Sequence, residues 1–392
     1  MPKRKETRNA HGSGSIRHLP SKNAWEARYT IGRDPGTGKQ IQKSVYGKSE
    51  AEVRKKLAKI IVSIDEGAYT EPSRLTVAQW LDIWTAEYLG ELKVHTLALY
   101  KKNCRLYIKP ALGAVKLQTL ATHSIQIFYN KLQRENGLAP KTVKNVHGVL
   151  HRALSQAMEL GYIKNNPSEA CKLPRIEKRE MVALPDEAIS EFLEAIQGHK
   201  YENLYFVDLF TGMRKGEILG LSWDMVDFDK GTITINKQLQ KEPVKDGEYR
   251  LVATKTDKVR KITPASAVME RLKVHQLEQK KMQLVYGAEW SNPMNLVFTH
   301  ETGKHYAPYT VYKHLKQIVA TIGIPEARFH DLRHSYALAA LQSGDDIKTV
   351  QENLGHHTAA FTLDVYGHVS ERMKRDSANR MDSFIKKAQG SM

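Results

Sequence analysis

Leu354-Gly355-His356-His357-Thr358-Ala359-Ala360-Phe361-Thr362-Leu363-Asp364-Val365-Tyr366 is the stretch from which the rest of the chain can be read. Ile347, Val350 and Leu354 form the apolar face of a short helix leading into it. Gly355 suits the left-handed position that stops such a helix. The stop projects His356 from a defined place, and Tyr366 follows ten residues later. Upstream, His330-Asp331-Leu332-Arg333-His334 puts His330 and Arg333 three apart on a helix, facing the same way. Further upstream, Arg214 follows the turn Thr211-Gly212 and precedes a helical stretch, 215–221, with Glu217 spaced to pair with it. Arginine offers a planar, permanently charged donor fork, and a helix start adds free N–H groups. Two arginines, two histidines and a tyrosine in this order can hold a phosphate, attack it and move its protons.

Each cluster also has a plainer reading. Arg214 and Glu217 could form an ordinary surface ion pair. His330-Asp331-x-x-His334 has the histidine spacing of a zinc-binding helix, but Asp331 stands where that pattern has Glu. Arg333 would also set a fixed positive charge inside the site, so no metal is expected. The turn Ser343-Gly344 followed by 344–354 could be a helix-turn-helix reader of DNA. Tyr366 could be a core tyrosine, and Tyr309, Tyr312 and Tyr336 read as packing residues.

Composition narrows the partner. The chain has 392 residues, enough for two or three domains, and a net charge of +17. Such an excess favours a polyanion, because each neutralised phosphate releases condensed counterions. Only Cys104 and Cys171 are present, so neither a disulfide framework nor a cysteine-based zinc site is expected. No apolar run reaches the length of a membrane span, and a cytoplasmic location, on the nucleoid, is expected.

The expected organisation is multidomain α+β. Residues 1–70 read as a βββα module: a strand from Gly14-Ser15-Ile16-Arg17, another over 25–31, a turn at Asp34-Pro35-Gly36-Thr37-Gly38, a third over 40–45, and a helix opened by the capping box Ser49-Glu50-Ala51-Glu52. Arg17, Arg28, Lys39 and Lys43 are its candidate phosphate contacts. Residues 71–172 are helical in pattern, with Val77, Trp80, Leu81 and Trp84 on one face and further helices over 96–107, 125–135 and 140–160. The aromatics read as core; Lys101, Lys102, Lys141 and Lys144 are candidate DNA contacts. The polar, proline-punctuated stretch from Asn165 reads as leading into a linker, 173–180, to which Arg175 adds charge. Residues 181–392 read as a mixed, mainly helical domain with a small β-sheet, ending in a helical tail, 370–392.

Arg214-x-x-Glu217, His330-x-x-Arg333, Leu354-Gly355-His356 and Tyr366 together resemble the signature of the tyrosine recombinases, in particular integrases of phages and conjugative transposons. The likeness runs the length of the chain. It implies an arm-type DNA-binding module, a helical SAM-like core-binding domain opening at Thr76–Trp84, and a catalytic domain. It implies Lys255 on a β-hairpin as the proton donor to the leaving oxygen, with Lys258 and Lys261 as competitors. Arg214, Arg333 and His356 would bind the phosphate, His330 would accept the proton of Tyr366, and Tyr366 would form a 3′-phosphotyrosyl link without cofactor or ATP. Partners implied are double-stranded attachment sites of core and arm type, a homotetramer on DNA, an excisionase and a host DNA-bending protein, with no membrane. A type IB topoisomerase-like enzyme and a non-catalytic DNA-binding regulator are the alternatives.

Overall fold

The computed structural model describes residues 14–65, 74–177, 184–242, 248–254, 259–355 and 371–389. The chain divides into two compact units, Met1–Glu177 and Lys178–Met392.

The first unit opens with an antiparallel sheet in the order β1 (Ser15–Leu19), β2 (Ala24–Arg33), β3 (Gln40–Gly47), covered by α1 (Glu50–Asp65). Asp34 builds the β2–β3 turn, its carboxylate accepting from the N–H groups of Gly36 and Thr37 at 3.0 and 2.7 Å. Ser49 accepts from the Glu52 N–H at 3.2 Å, while the Glu52 carboxylate reaches one residue past the expected box, to the Lys48 N–H at 2.8 Å. Among the described residues the module's buried hydrophobic cluster is Ala27, Tyr29, Val53 and Leu57, so this core is thin.

A second core in this unit is helical: α2 (Val77–Glu87), α3 (Val94–Asn103), α4 (Lys109–Leu112), α5 (Thr122–Arg134) and α6 (Pro140–Glu159). Thr76 and Gln79 form a complete capping box at the start of α2. Trp80 and Trp84 are buried as core, and the Trp80 indole donates to the Ala153 carbonyl at 2.8 Å. The polar stretch after Asn165 begins as packed structure instead of free chain. Asn166 and Ser168 are buried, Asn166 bonds the His151 carbonyl and the Ser155 hydroxyl, and Gln126 holds both main-chain groups of Lys172.

The second unit carries helices α7 (Asp186–Ala195), α8 (Glu202–Leu209), α9 (Lys215–Leu219), α10 (Ser266–Tyr286), α11 (Pro308–Thr321), α12 (Phe329–Gln342), α13 (Ile347–Leu354) and α14 (Glu371–Ala388). A small sheet runs β4 (Val226–Asp227), β5 (Thr232–Ile235), β8 (Arg260–Ile262), and β6 (Lys237–Lys241) pairs with β7 (Tyr249–Ala253) as a separate hairpin. The main core includes Phe192, Tyr205, Ile218, Ile233, Leu272, Phe298 and Leu315. A satellite core seals α12 to α13 through Ala337, Leu341, Val350 and Leu354. Gly212 joins α8 to α9 at φ +59°, and a Cβ there would stand 2.5 Å from the Tyr336 ring and 2.9 Å from the Leu354 side chain. Only glycine lets this turn approach α12 and α13 so closely. Among the described residues no helix is long and apolar enough to cross a membrane.

Candidate active site

The C-terminus of α13 is where the separated motifs meet. A helix end leaves its last carbonyls without partners and carries the negative end of the dipole. Here three consecutive carbonyls are each taken by an arginine. Arg260 Nε donates to Asn353 O at 2.9 Å, Arg333 Nη2 to Leu354 O at 2.6 Å, and Arg214 Nη2 to Gly355 O at 3.1 Å. Gly355 adopts φ +64° and ends the helix in the left-handed conformation. Asp346 caps the other end, accepting from the N–H groups of Lys348 and Thr349. The helix is thus pinned at both termini.

Beneath the arginines lies Glu217, whose side chain is 1% exposed. It accepts four N–H bonds: from the Arg214 main chain at 2.9 Å, Arg214 Nη1 at 2.7 Å, and Arg260 Nη1 and Nη2 at 3.0 and 2.6 Å. Burial pushes its pKa up, but the bonds and charge of Arg260 and then of Arg214 outweigh it, and the carboxyl is held down at about 2. Glu217 is therefore ionised at any working pH. The pairing with Arg214 is not an ordinary surface pair, because the carboxylate is buried and shared.

Arg333 is enclosed. It lies deeper than His330, three residues before it on α12: Arg333 is 1% exposed, and Nη1 reaches the Gly212 carbonyl at 2.7 Å. The turn that presents Arg214 and the helix that carries Arg333 are thereby bonded. Behind them Asp208, at the end of α8, is wholly buried with no hydrogen-bond partner on either carboxylate oxygen. Burial drives its pKa well above the usual carboxylate range against the pull of Arg333.

His330 keeps an exposed edge, yet the protein around it lowers its pKa, as does Arg333 and, more weakly, Arg214. Its ring packs edge-on against His334 at 4.8 Å between centroids. His334 is buried and its pKa is lowered to about 4, by burial first and then by His330 and Arg333. A neutral His330 is the form that can accept a proton. Asp331 is used within its helix, its carboxylate accepting the Arg328 N–H at 2.8 Å. Among the described residues no group of three or more His, Cys, Asp or Glu is placed to hold a metal.

Two expectations change here. The helix after Arg214 is five residues long, Lys215–Leu219, shorter than the expected 215–221, and the Arg214 N–H is given to Glu217. Tyr309 is no packing residue: it is 75% exposed, whereas Tyr336 is half-buried and bonds Asn353. Lys255, Lys258, His356 and Tyr366 lie outside the described residues. Lys261 is exposed on β8, paired with Thr234. Among the candidate DNA contacts, Arg17 and Arg28 both pair with the buried Glu26. Lys39, Lys101, Lys102, Lys141 and Arg175 are exposed; Lys43 and Lys144 are half-covered. Sequence reasoning missed Arg260. Its signal is only its place within the lysine-bearing hairpin, since Glu217 is 43 residues away.

The pinned helix end, the buried arginine–glutamate cluster and the α+β framework define a tyrosine recombinase fold. The Phage integrase family model matches residues 182–373, and the model of the phage integrase N-terminal SAM-like domain matches residues 76–133. A tyrosine recombinase XerC-like protein of Caldanaerobacter subterraneus subsp. tengcongensis is 30% identical over 383 residues, covering 93% of this chain and 97% of that one. Among solved structures, the Tn1549 transposon integrase in complex with a circular intermediate DNA aligns with a TM-score of 0.65 at 20% identity, over 78% of this chain and 99% of that one. The lambda integrase tetramer bound to a Holliday junction aligns with a TM-score of 0.54 at 19% identity, over 90% and 97%. This chain belongs to the phage integrase family of tyrosine recombinases, enzymes that break and rejoin DNA. A non-catalytic regulator and a topoisomerase-like enzyme are set aside by that membership.

Proposed function

We propose that the chain integrates and excises a mobile element at specific attachment sites, with Tyr366 as nucleophile. The observation that carries the site is the capture of three consecutive carbonyls, Asn353 to Gly355, by Arg260, Arg333 and Arg214, immediately before His356.

The chemistry follows from three needs. A phenol, with a pKa of ~10, is mostly protonated at neutral pH. His330 takes its proton, and the arginine field favours the phenolate. The phenolate oxygen attacks phosphorus, and charge grows on the non-bridging oxygens, where Arg214, Arg333 and His356 stabilise it; preorganised donors of this kind contribute roughly 3 to 4 kcal/mol each. The bond to the 5′ oxygen breaks, and Lys255 supplies its proton. One phosphodiester is replaced by a 3′-phosphotyrosyl ester and a free 5′ hydroxyl, so the step needs no energy from ATP. A 5′ hydroxyl of a second duplex reverses it.

Four strand exchanges require four tyrosines, hence a homotetramer on two sites. The exposed Met381, Phe384 and Ile385 of α14 are the face we assign to docking on a neighbouring subunit. We assign 1–70 to arm-type sites through Arg17, Arg28, Lys39 and Lys43. We assign 71–172 to core-type sites through Lys101, Lys102, Lys141 and Lys144, with Arg175 of the linker 173–180 beside the DNA. Residues 181–392 perform catalysis, with 370–392 as the exchange tail. An excisionase and a host DNA-bending protein complete the reaction, which takes place on the nucleoid in the cytoplasm.

A nicked duplex carrying the DNA that borders the gene tests this. The nick lets the cleaved end diffuse away and traps the adduct. The parent protein is expected to form a covalent complex in excess chelator, and Tyr366→Phe none. An adduct that survives the Tyr366→Phe change would move the nucleophile elsewhere.

A further inference from the structure

One guanidinium of the cluster has no role in the chemistry above. Arg260 opens β8, pairs across the sheet with Ile235, and is only 10% exposed. Its Nη1 and Nη2 grip both oxygens of Glu217, while Nε holds the Asn353 carbonyl. One planar group thus bonds three elements: β8, α9 and the end of α13. Its stem also lies under Gly355, where a Cβ would stand 3.0 Å from Arg260 Cδ.

The consequence for Arg214 is steric and electrostatic. A carboxylate has about four acceptor sites, and Glu217 has all of them filled. A saturated carboxylate cannot turn, so the Arg214 fork that leans on it cannot turn either. Without Arg260, half of those bonds vanish and the Asn353 carbonyl loses its partner. Both the direction of Arg214 and the anchor of α13 before His356 then loosen together.

We propose that Arg260 is a positioning residue for strand cleavage: it fixes the aim of Arg214 by filling one half of Glu217, and fixes the end of α13 by holding Asn353, without touching the scissile phosphate. The inference rests on Arg214 being a phosphate ligand, as proposed above. A lysine in its place would keep the charge but lose the fork.

The test is single-turnover formation of the covalent adduct by the full-length protein, on the nicked duplex that carries the DNA bordering the gene. Arg260→Ala is expected to slow the step by about 10²-fold, the scale of a small misplacement, while the half-saturating DNA concentration stays within about threefold. The charged and titratable groups around Glu217 are Arg214, Arg260, Asp208 on α8 and His330 on α12. With Arg260 gone, burial is opposed by Arg214 alone and Glu217 titrates higher. The variant's acid limb should therefore be steeper and lie at higher pH than the parent's, to which proton uptake by the acceptor His330 already gives one limb. Arg260→Lys should move that limb back down and restore part of the rate. Because Arg260 acts in part through Glu217, the double variant with Glu217→Gln should lose less than the two single losses multiplied together.

Arg260→Ala cleaving at the parent rate overturns the inference. So does a slow variant with the parent's pH profile and a fully additive loss with Glu217→Gln, which marks a merely structural residue. Should Arg260→Ala fail to fold, Arg260→Lys decides by the same limb. A parent that forms no adduct sinks the proposed chemistry itself; a parent that cleaves beside an equally fast Arg260→Ala sinks only the role given to Arg260.

Discussion

Glu26 in the first unit and Glu217 in the second are one device in two settings. Each is a covered carboxylate between two arginines, and each is held at about pKa 2. The causes differ. Glu26 is lowered first by a hydrogen bond from Ser44; burial opposes, and Arg17 and then Tyr46 add to the lowering. Glu217 is pushed up first by burial, and it takes Arg260 and Arg214 together to bring it down. Arg17 and Arg28 are half in water, whereas Arg260 is nearly enclosed and Arg214 leans on a main-chain carbonyl. The first pair can be lent to a passing phosphate at small cost. The second is held by protein partners alone, which is what the phosphate-binding role proposed for Arg214 asks of a preorganised donor.

The sharpest way to break this contrast is to remove each carboxylate. Glu217→Ala leaves two largely enclosed guanidinium groups facing each other, and truncating one partner of such a buried pair costs about 3–5 kcal/mol. Glu26→Ala leaves two half-solvated arginines, and exposed pairs are worth about 1 kcal/mol or less. Urea unfolding of each variant measures the two losses. Similar losses at the two sites would mean that the enclosure of Arg260 has no energetic consequence.

Acid separates the regions next. His334 has a folded pKa of about 4, below the ordinary value of 6.5, so the unfolded chain takes up a proton first as pH falls. The stability tied to neutral His334 is fully present above about pH 6.5 and is lost progressively down to about pH 4, ~3 kcal/mol at most. Both depressed glutamates run in a lower window: their contribution is complete above an ordinary carboxylate pKa of 4.5 and is lost as pH falls toward 2. His334→Gln should flatten the stability curve between pH 4 and 6.5 and leave its steeper part below pH 4.5 in place. An unchanged slope in the upper window would place that proton uptake on other histidines.

What could be read from the chain was local. Arg214 with Glu217 three residues on, Gly355 after the apolar face of α13, and Trp80 beside Leu81 are consequences of helical spacing, and each stands where that spacing puts it. What could not be read depends on distant partners. Nothing near Arg260 reveals Glu217, and nothing near Arg333 reveals that Gly212 and Leu354 would enclose it. Asn166 looks like linker until His151 and Ser155 are seen to satisfy its amide. Tyr309 looks like core because composition cannot distinguish the two sides of α11; Val311 and Leu315 take the buried side and leave it in water. Buried polar contacts in the site follow no period, so the residues that aim a catalytic group are harder to find than the group itself.

The smallest effect tests the loose half of the comparison. If Arg17 and Arg28 are lent to DNA phosphates, replacing either by alanine removes one backbone contact, and the slope of log affinity against log salt should flatten by about 0.9 for arm-type duplex. Binding to core-type duplex should keep its slope. Glu26→Gln weakens the competitor for the same arginines and should shift arm-type affinity the opposite way. Should all three variants bind with the parent's slope, the exposed arginines serve only to neutralise Glu26. The two carboxylates would then differ in depth but not in purpose, and the DNA contact of this module would have to come from Lys39, just before β3, and Lys43 within it.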